Sequence, residues 1–218
     1  MFNKELAKKI DHTILKPNCT FTDIQKLCDE AKTYGFASVC VPPYYVKEAV
    51  KQLEDSLTKV ATVIGYPMGY STTPAKVEEV KRAIVEGVDE LDAVVNICAI
   101  KQSNWSYVRN DIDSMTRAAH LRGKIVKIIL EIELLTKSEI EQLCKICNDV
   151  EANYIKTSTG QQGTPVTSED IRYLKSIVNP RMKIKASGGI RTQQQAKDLL
   201  EAGANRLGAS ASLEIIKL

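Results

Sequence analysis

Eight short β-type runs alternate with amphipathic helical segments along the 218 residues, and this alternation restricts the chain to a parallel α/β architecture more than any other feature. The runs fall at about 10–15, 36–41, 59–64, 90–95, 125–131, 153–158, 182–187 and 205–209. Between them, apolar residues recur at helical spacing, as with Ile24, Leu27, Cys28 and Ala31, or Ile140, Leu143, Cys144 and Cys147. Thr136 with Glu139 and Thr192 with Gln195 have the spacing of capping boxes, and Thr73-Pro74 sets a capping hydroxyl before a proline at the first helical position. No linker, low-complexity tract or charge block divides the chain. Eight β/α units joined by short turns predict a single-domain (β/α)8 TIM barrel over residues 1–218. An open doubly wound sheet is the alternative, but no Gly-x-Gly-x-x-Gly turn follows an early strand.

Two lysines stand out against this apolar background. Strands of a parallel sheet are covered on both faces and read as near-continuous apolar runs, yet Lys156 and Lys185 sit in consecutive strands, each shortly before a glycine turn. Burial favours the neutral amine, and a neutral amine attacks a carbonyl, the more readily when a second ammonium lies nearby. Either lysine alone could snorkel outward between helices. Two at matching depth on neighbouring strands favour Schiff-base chemistry. Asp92, on the same pleat face as Glu90 and Val94, is the acid expected to pair with an inward lysine or relay a proton. Lys127 and Glu131 in the fifth strand are expected to form a supporting ion pair. Gly188-Gly189-Ile190-Arg191 after strand seven and Gly208-Ala209-Ser210 after strand eight occupy the positions where such barrels bind phosphate.

Other features exclude functions. A net charge of +3, evenly spread, is too mild for nucleic acid but suits an anionic small molecule. Trp105 and the tyrosines form no stacking pattern. No apolar stretch approaches the ~18 residues of a membrane span, and the N-terminal Met-Phe-Asn-Lys-Glu-Leu-Ala-Lys-Lys carries no apolar signal core, so a cytoplasmic protein with no membrane partner is expected. Cys144-x-x-Cys147 has metal-like spacing but lies on an apolar helical stripe with no second pair, and only His12 and His120 are available as imidazole ligands. No metal and no cofactor are expected. His12 is expected at the barrel mouth and His120 on a helix surface.

Several segments, taken in order, match a known family: Ile10-Asp-His-Thr-Ile-Leu-Lys-Pro17, Ser38-Val-Cys-Val41, Ile64-Gly-Tyr-Pro-Met-Gly69, Glu90-Leu-Asp92, Lys156-Thr-Ser-Thr-Gly160 and Lys185-Ala-Ser-Gly-Gly-Ile-Arg-Thr192. Over essentially its whole length the chain resembles the deoxyribose-phosphate aldolases. The resemblance implies reversible, metal-free cleavage of 2-deoxy-D-ribose 5-phosphate to D-glyceraldehyde 3-phosphate and acetaldehyde, in deoxynucleoside catabolism. It also implies a homo-oligomer, dimer or tetramer. By motif position Lys156 resembles the Schiff-base lysine, Lys185 the second lysine that favours its neutral form, and Asp92 the proton-relay aspartate. The resemblance further implies a substrate- and phosphate-binding set of Thr13, Cys40, Thr159, Gly160, Gly188, Gly189, Ile190, Arg191, Gly208 and Ser210, with Asp11 and Lys127 in support. Three departures bear on phosphate binding and turnover: Gln161-Gln162 where Phe or Lys is common, Ser212 where glycine is frequent, and an ending at Lys217-Leu218 without the tyrosine some members use. Rival readings are another lysine-dependent barrel such as a transaldolase, and a catalytically silent sugar-phosphate binder.

Overall fold

A computed structural model describes residues 2–217; Met1 and the terminal Leu218 of the motif comparison lie outside the described residues. The strands are β1 (Ile10–Thr13), β2 (Ser38–Val41), β3 (Lys59–Ile64), β4 (Glu90–Val94), β5 (Ile125–Ile129), β6 (Tyr154–Lys156), β7 (Lys183–Ser187) and β8 (Arg206–Ala209). They pair in sequence order, all parallel, and β8 closes on β1. The predicted (β/α)8 barrel is therefore the observed architecture. The helices are α1 (Lys4–Ala7), α2 (Phe21–Tyr34), α3 (Val46–Gln52), α4 (Thr73–Val85), α5 (Ile97–Lys101), α6 (Trp105–His120), α7 (Lys137–Asp149), α8 (Ser168–Ile177), α9 (Gln193–Glu201) and α10 (Ser212–Ile216).

Four strands, β1, β4, β5 and β6, end earlier than the β-type runs that forecast them. The run at 153–158 supplies a strand of only three residues, Tyr154–Lys156. Sheet pairing stops where the chain bends into the loops above the barrel, although their residues remain apolar or β-branched. Capping boxes open α7 at Thr136 and α9 at Thr192, as their spacing predicts, and two more open α2 at Thr20 and α8 at Thr167. The cap of α4 differs from expectation. Its N-cap is Thr72, and the Thr73 hydroxyl instead donates to Asp111 Oδ1 on α6 at 2.8 Å. A buried carboxylate needs donors, and Asp111 takes Lys76 Nζ as well, also at 2.8 Å.

Pleat alternation sorts the side chains into two compartments. Outward residues such as Ile10, Val39, Leu91, Ile128, Ile155 and Ile184 join the helices in one continuous apolar shell, which also holds Cys144 and Cys147. Inward residues make a barrel interior that is largely charged, with a small apolar patch of Cys40, Ala61 and Val63. His12 points outward. It is buried between β1 and α2, 2.8 Å from Glu30 and stacked on Phe36, so it does not line the barrel mouth. Burial holds its imidazole below the ordinary range against the opposing pull of Glu30. His120, at the exposed end of α6, contacts Asn153.

Candidate active site

Register decides which interior charges meet. Lys156 and Lys185 are directly opposed on β6 and β7, and Asp92 and Lys127 on β4 and β5. Asp92 lies at the centre. Its Oδ1 accepts from Lys127 Nζ at 2.8 Å, and its Oδ2 accepts from both Lys156 at 2.9 Å and Lys185 at 2.7 Å. The two candidate catalytic amines thus share one carboxylate oxygen and lie no farther apart than the sum of those two distances. Lys185 also contacts Asp11, which Arg206 grips from the other side at 2.6 Å.

Lys127 has different partners from those expected. Its ammonium contacts Glu90 at 2.6 Å in addition to Asp92, with Asp11 at 3.6 Å. Glu131 takes no part. It lies past the end of β5, where its carboxylate accepts from the backbone N–H and the hydroxyl of Thr159. The pleat carries Lys127 and Ile129 into the barrel, and the chain leaves the sheet before Glu131 could follow.

The cluster's electrostatics follow from burial and contact. Burial alone would raise the Asp92 carboxyl, but the ammonium groups of Lys127, Lys156 and Lys185 outweigh it and hold Asp92 well below the ordinary carboxylate range. Asp11 is lowered in the same way by Lys185, Lys127 and Arg206, again against burial. The expectation that burial renders such lysines neutral fails for Lys185: desolvation pulls it down, yet Asp11 and Asp92 hold it above its ordinary value. Lys127 is raised further still, by Asp92, Asp11 and Glu90. Contact with two carboxylates thus favours the charged form of Lys185.

Above the cluster opens a cavity of about 290 Å³. Lys156 lines it and Lys185 does not, although the two lysines face each other across the sheet. Thr13, Thr159, Gly160, Gly188, Gly189, Ile190, Arg191, Gly208 and Ser210 all lie on its wall, as do Lys16, Tyr66, Gln161 and Ser187. Among the described residues, the backbone N–H groups of Gly160, Gly189 and Ser210 find no acceptor within the protein, which leaves them available to an anion. Gly208 is glycine because of close approach: an added Cβ would fall 2.2 Å from Ser187 Oγ and 3.0 Å from Lys185 Cε. Cys40 is the one residue of the expected binding set away from the wall. It is fully buried beneath the cavity beside Ala61 and Val63, and burial pushes its thiol up to about 11.

Sequence reasoning passed over Lys16 and Tyr66. Lys16 follows β1 in a polar stretch without periodicity. Tyr66 follows β3 in the Gly65–Gly69 loop, which folds back on itself through Gly69 N–H donating to Gly65 O at 2.7 Å. The Tyr66 hydroxyl donates to Thr159 O at 3.2 Å and accepts from Gln161 Nε2 at 2.9 Å. Only the flanking glycines hinted at a shaped loop there.

Comparison with known proteins bears on this constellation. Residues 6–217 match the family model described as DeoC/LacD family aldolase. The chain belongs to that family. A deoxyribose-phosphate aldolase from Thermococcus kodakarensis is 47% identical over 219 aligned positions, covering 100% of this chain and 98% of the relative. One from Caldicellulosiruptor saccharolyticus is 46% identical, covering 99% of each. Among solved structures, a deoxyribose phosphate aldolase from Aeropyrum pernix, described as a unique tetramer, superposes with a TM-score of 0.91 at 30% identity, covering 97% of this chain and 89% of the other. Within the family frame, the departures seen in the sequence have definite surroundings here. Gln161 is tied to Tyr66 at the cavity wall, and Ser212 is buried with its hydroxyl donating to Ala209 O at 2.9 Å. Among the described residues no group of three or more His, Cys, Asp or Glu side chains is arranged to hold a metal ion, and no helix is long and apolar enough to cross a membrane.

Proposed function

We propose that this protein is a Schiff-base aldolase that reversibly cleaves 2-deoxy-D-ribose 5-phosphate to D-glyceraldehyde 3-phosphate and acetaldehyde. The observation that carries the reading is Lys156 at the cavity wall, sharing Asp92 Oδ2 with Lys185. Four cationic side chains (Lys127, Lys156, Lys185 and Arg206) face three carboxylates (Asp11, Glu90 and Asp92) in the interior. Lys156 is the one lysine of this cluster that lines the cavity, where a substrate carbonyl can reach its amine.

In the cleavage direction Lys156 Nζ adds to the C1 carbonyl of the open-chain sugar, and loss of water gives an iminium. A base takes the C3 hydroxyl proton, the C2–C3 bond breaks, and its electrons pass into the iminium to give an enamine. Glyceraldehyde 3-phosphate leaves, the enamine is protonated at C2, and hydrolysis releases acetaldehyde and the amine. Asp92, Lys185 and an ordered water are the groups we assign to the proton transfers; such assistance typically contributes roughly 10²–10⁴-fold. The free N–H groups of Gly160, Gly189 and Ser210, with Lys16 and Arg191 on the same wall, suit the substrate's phosphate. Holding that far end lets binding energy position C1 at the amine.

The test is trapping. After dialysis against a chelator, acetaldehyde and borohydride should leave a reduced two-carbon adduct on Lys156, and deoxyribose 5-phosphate should be cleaved. A silent sugar-phosphate binder would give no adduct. Another lysine-dependent aldolase or transaldolase would give an adduct without cleaving this sugar. Activity lost to the chelator and restored by a divalent ion would refute the metal-free reading. We further read the protein as a cytoplasmic homo-oligomer, dimer or tetramer. The six free thiols suit a reducing compartment, and the Aeropyrum relative is tetrameric. A monomer in sedimentation velocity would count against the oligomer.

A further inference from the structure

Glu131 is a buried carboxylate on a strained backbone. Its φ and ψ are both 58°, the left-handed region that a non-glycine residue seldom adopts. Such strain persists only where the surroundings demand it, and it gathers at functional sites. What the conformation achieves here is specific. It ends β5, starts the 3₁₀ turn Ile132–Leu134, and aims the Glu131 carboxylate at the loop that follows Lys156. Its oxygens accept from Thr159 N–H at 2.8 Å and from the Thr159 hydroxyl.

These bonds complete a zipper along Lys156–Thr159, the start of that loop. Leu130 N–H donates to Lys156 O at 2.9 Å, and Ile132 N–H donates to Thr157 O at 3.1 Å. The Ser158 hydroxyl donates to Glu133 Oε2 at 2.8 Å. Because Thr159 N–H is turned onto Glu131, the next residue, Gly160, enters the left-handed region at φ 83° with its own N–H free at the cavity wall. The Thr159 hydroxyl also accepts from Gln161 N–H at 3.2 Å, and its carbonyl accepts from Tyr66, so the turn is held from several directions. Burial pushes the Glu131 carboxyl up while the two Thr159 bonds pull it down.

We propose that Glu131 is a positioning residue for the phosphate end of the substrate: it sets the Thr159–Gly160 turn whose free Gly160 N–H meets the anion, without itself touching the reacting atoms. The inference rests on the aldolase reading, and specifies which residue outside the cavity governs how the phosphorylated substrate binds.

Two variants test it. Glu131→Gln keeps the shape but replaces one acceptor oxygen with a donor. Glu131→Gly removes the carboxylate while relieving the backbone strain, so a loss of binding in it does not reflect a lost fold; matched thermal melts accompany both. In each, KM for deoxyribose 5-phosphate should rise at least tenfold, while KM for unphosphorylated deoxyribose changes less than twofold. Acetaldehyde and borohydride should still label Lys156 as in the parent. Equal rises for both sugars, or an unchanged KM for the phosphorylated one, would overturn the positioning role and leave Glu131 as a fold element only. Absence of an adduct on Lys156 in the parent protein would overturn the aldolase reading, and this inference with it, so the two failures are told apart by the unaltered chain.

Discussion

At the scale of single residues, the two central lysines differ in role because they differ in surroundings. Lys185 is sealed beneath the cavity and held as an ammonium by Asp11 and Asp92, whereas Lys156 reaches the cavity wall. Replacing Lys185 with Leu removes the ammonium that shares Asp92 Oδ2 with Lys156 and leaves that carboxylate to Lys127 and Lys156. Lys185→Leu should therefore slow cleavage by roughly 10²–10⁴-fold, the range of lost acid–base assistance, and shift imine formation to more alkaline pH. Lys156→Leu should abolish trapping at every pH. The measurement is borohydride labelling across pH 6–10 with circular dichroism as a fold control. An unchanged pH profile in Lys185→Leu would restrict Lys185 to proton transfer.

At the scale of elements, the loops after β6, β7 and β8 build the anion end of the cavity from backbone rather than from side chains. Gly189 illustrates the constraint: its φ is +66°, and an added Cβ would lie 2.8 Å from Pro165 Cβ, so a side chain is excluded both by conformation and by contact. Ser210 is exposed at the cavity wall. Ser210→Asp sets a carboxylate where an anion should bind, and the two charges repel. We expect KM for deoxyribose 5-phosphate to rise tenfold or more with little change for unphosphorylated deoxyribose, read from parallel steady-state kinetics. A matching rise for both sugars would argue that the phosphate sits elsewhere. The helices show how far local signals carry. Thr136 and Thr192 cap where their spacing says, because a capping box is satisfied within four residues. Thr73 does not, because Asp111 on a distant helix competes for its hydroxyl.

At the scale of the molecule, the charged interior ties stability to pH. Asp11 and Asp92 titrate below their ordinary range in the folded state, so they add stability above the unfolded carboxylate range near about 4, which is lost as pH falls through the lowered values. His12 is also lowered, by burial, so its contribution is complete above about 6.5 and declines as the medium becomes more acidic. Lys127 and Lys185 are raised, so theirs is complete below about 10.4 and lost as pH rises through the raised values. Urea midpoints should form a plateau from about pH 7 to about pH 8.5, with a shallow acid shoulder from His12, a steep fall below about pH 4, and a decline above about pH 8.5 as the thiols of Cys28, Cys40, Cys144 and Cys147, raised by burial in the fold, ionise in the unfolded chain. A midpoint that climbs steadily from pH 7 to pH 9 would mean that other groups dominate.

What could be read from the sequence alone is what short-range pattern encodes. Periods of two and of three to four residues set strands and helices, their alternation in eight units set the barrel, and the place of Lys156, Lys185, Gly188 and Gly208 just before or after strand ends put them at one rim. Tertiary structure alone decided the partnerships. Lys127 binds Asp92 and Glu90 rather than Glu131, because strand register and the end of β5 determine which side chains enter the barrel. His12 faces α2 because it alternates with the inward Asp11. Lys16 and Tyr66 join the cavity because loops distant in the chain converge where the barrel closes. Pattern is local in sequence, whereas register and closure depend on residues that meet only once the whole sheet has curled on itself.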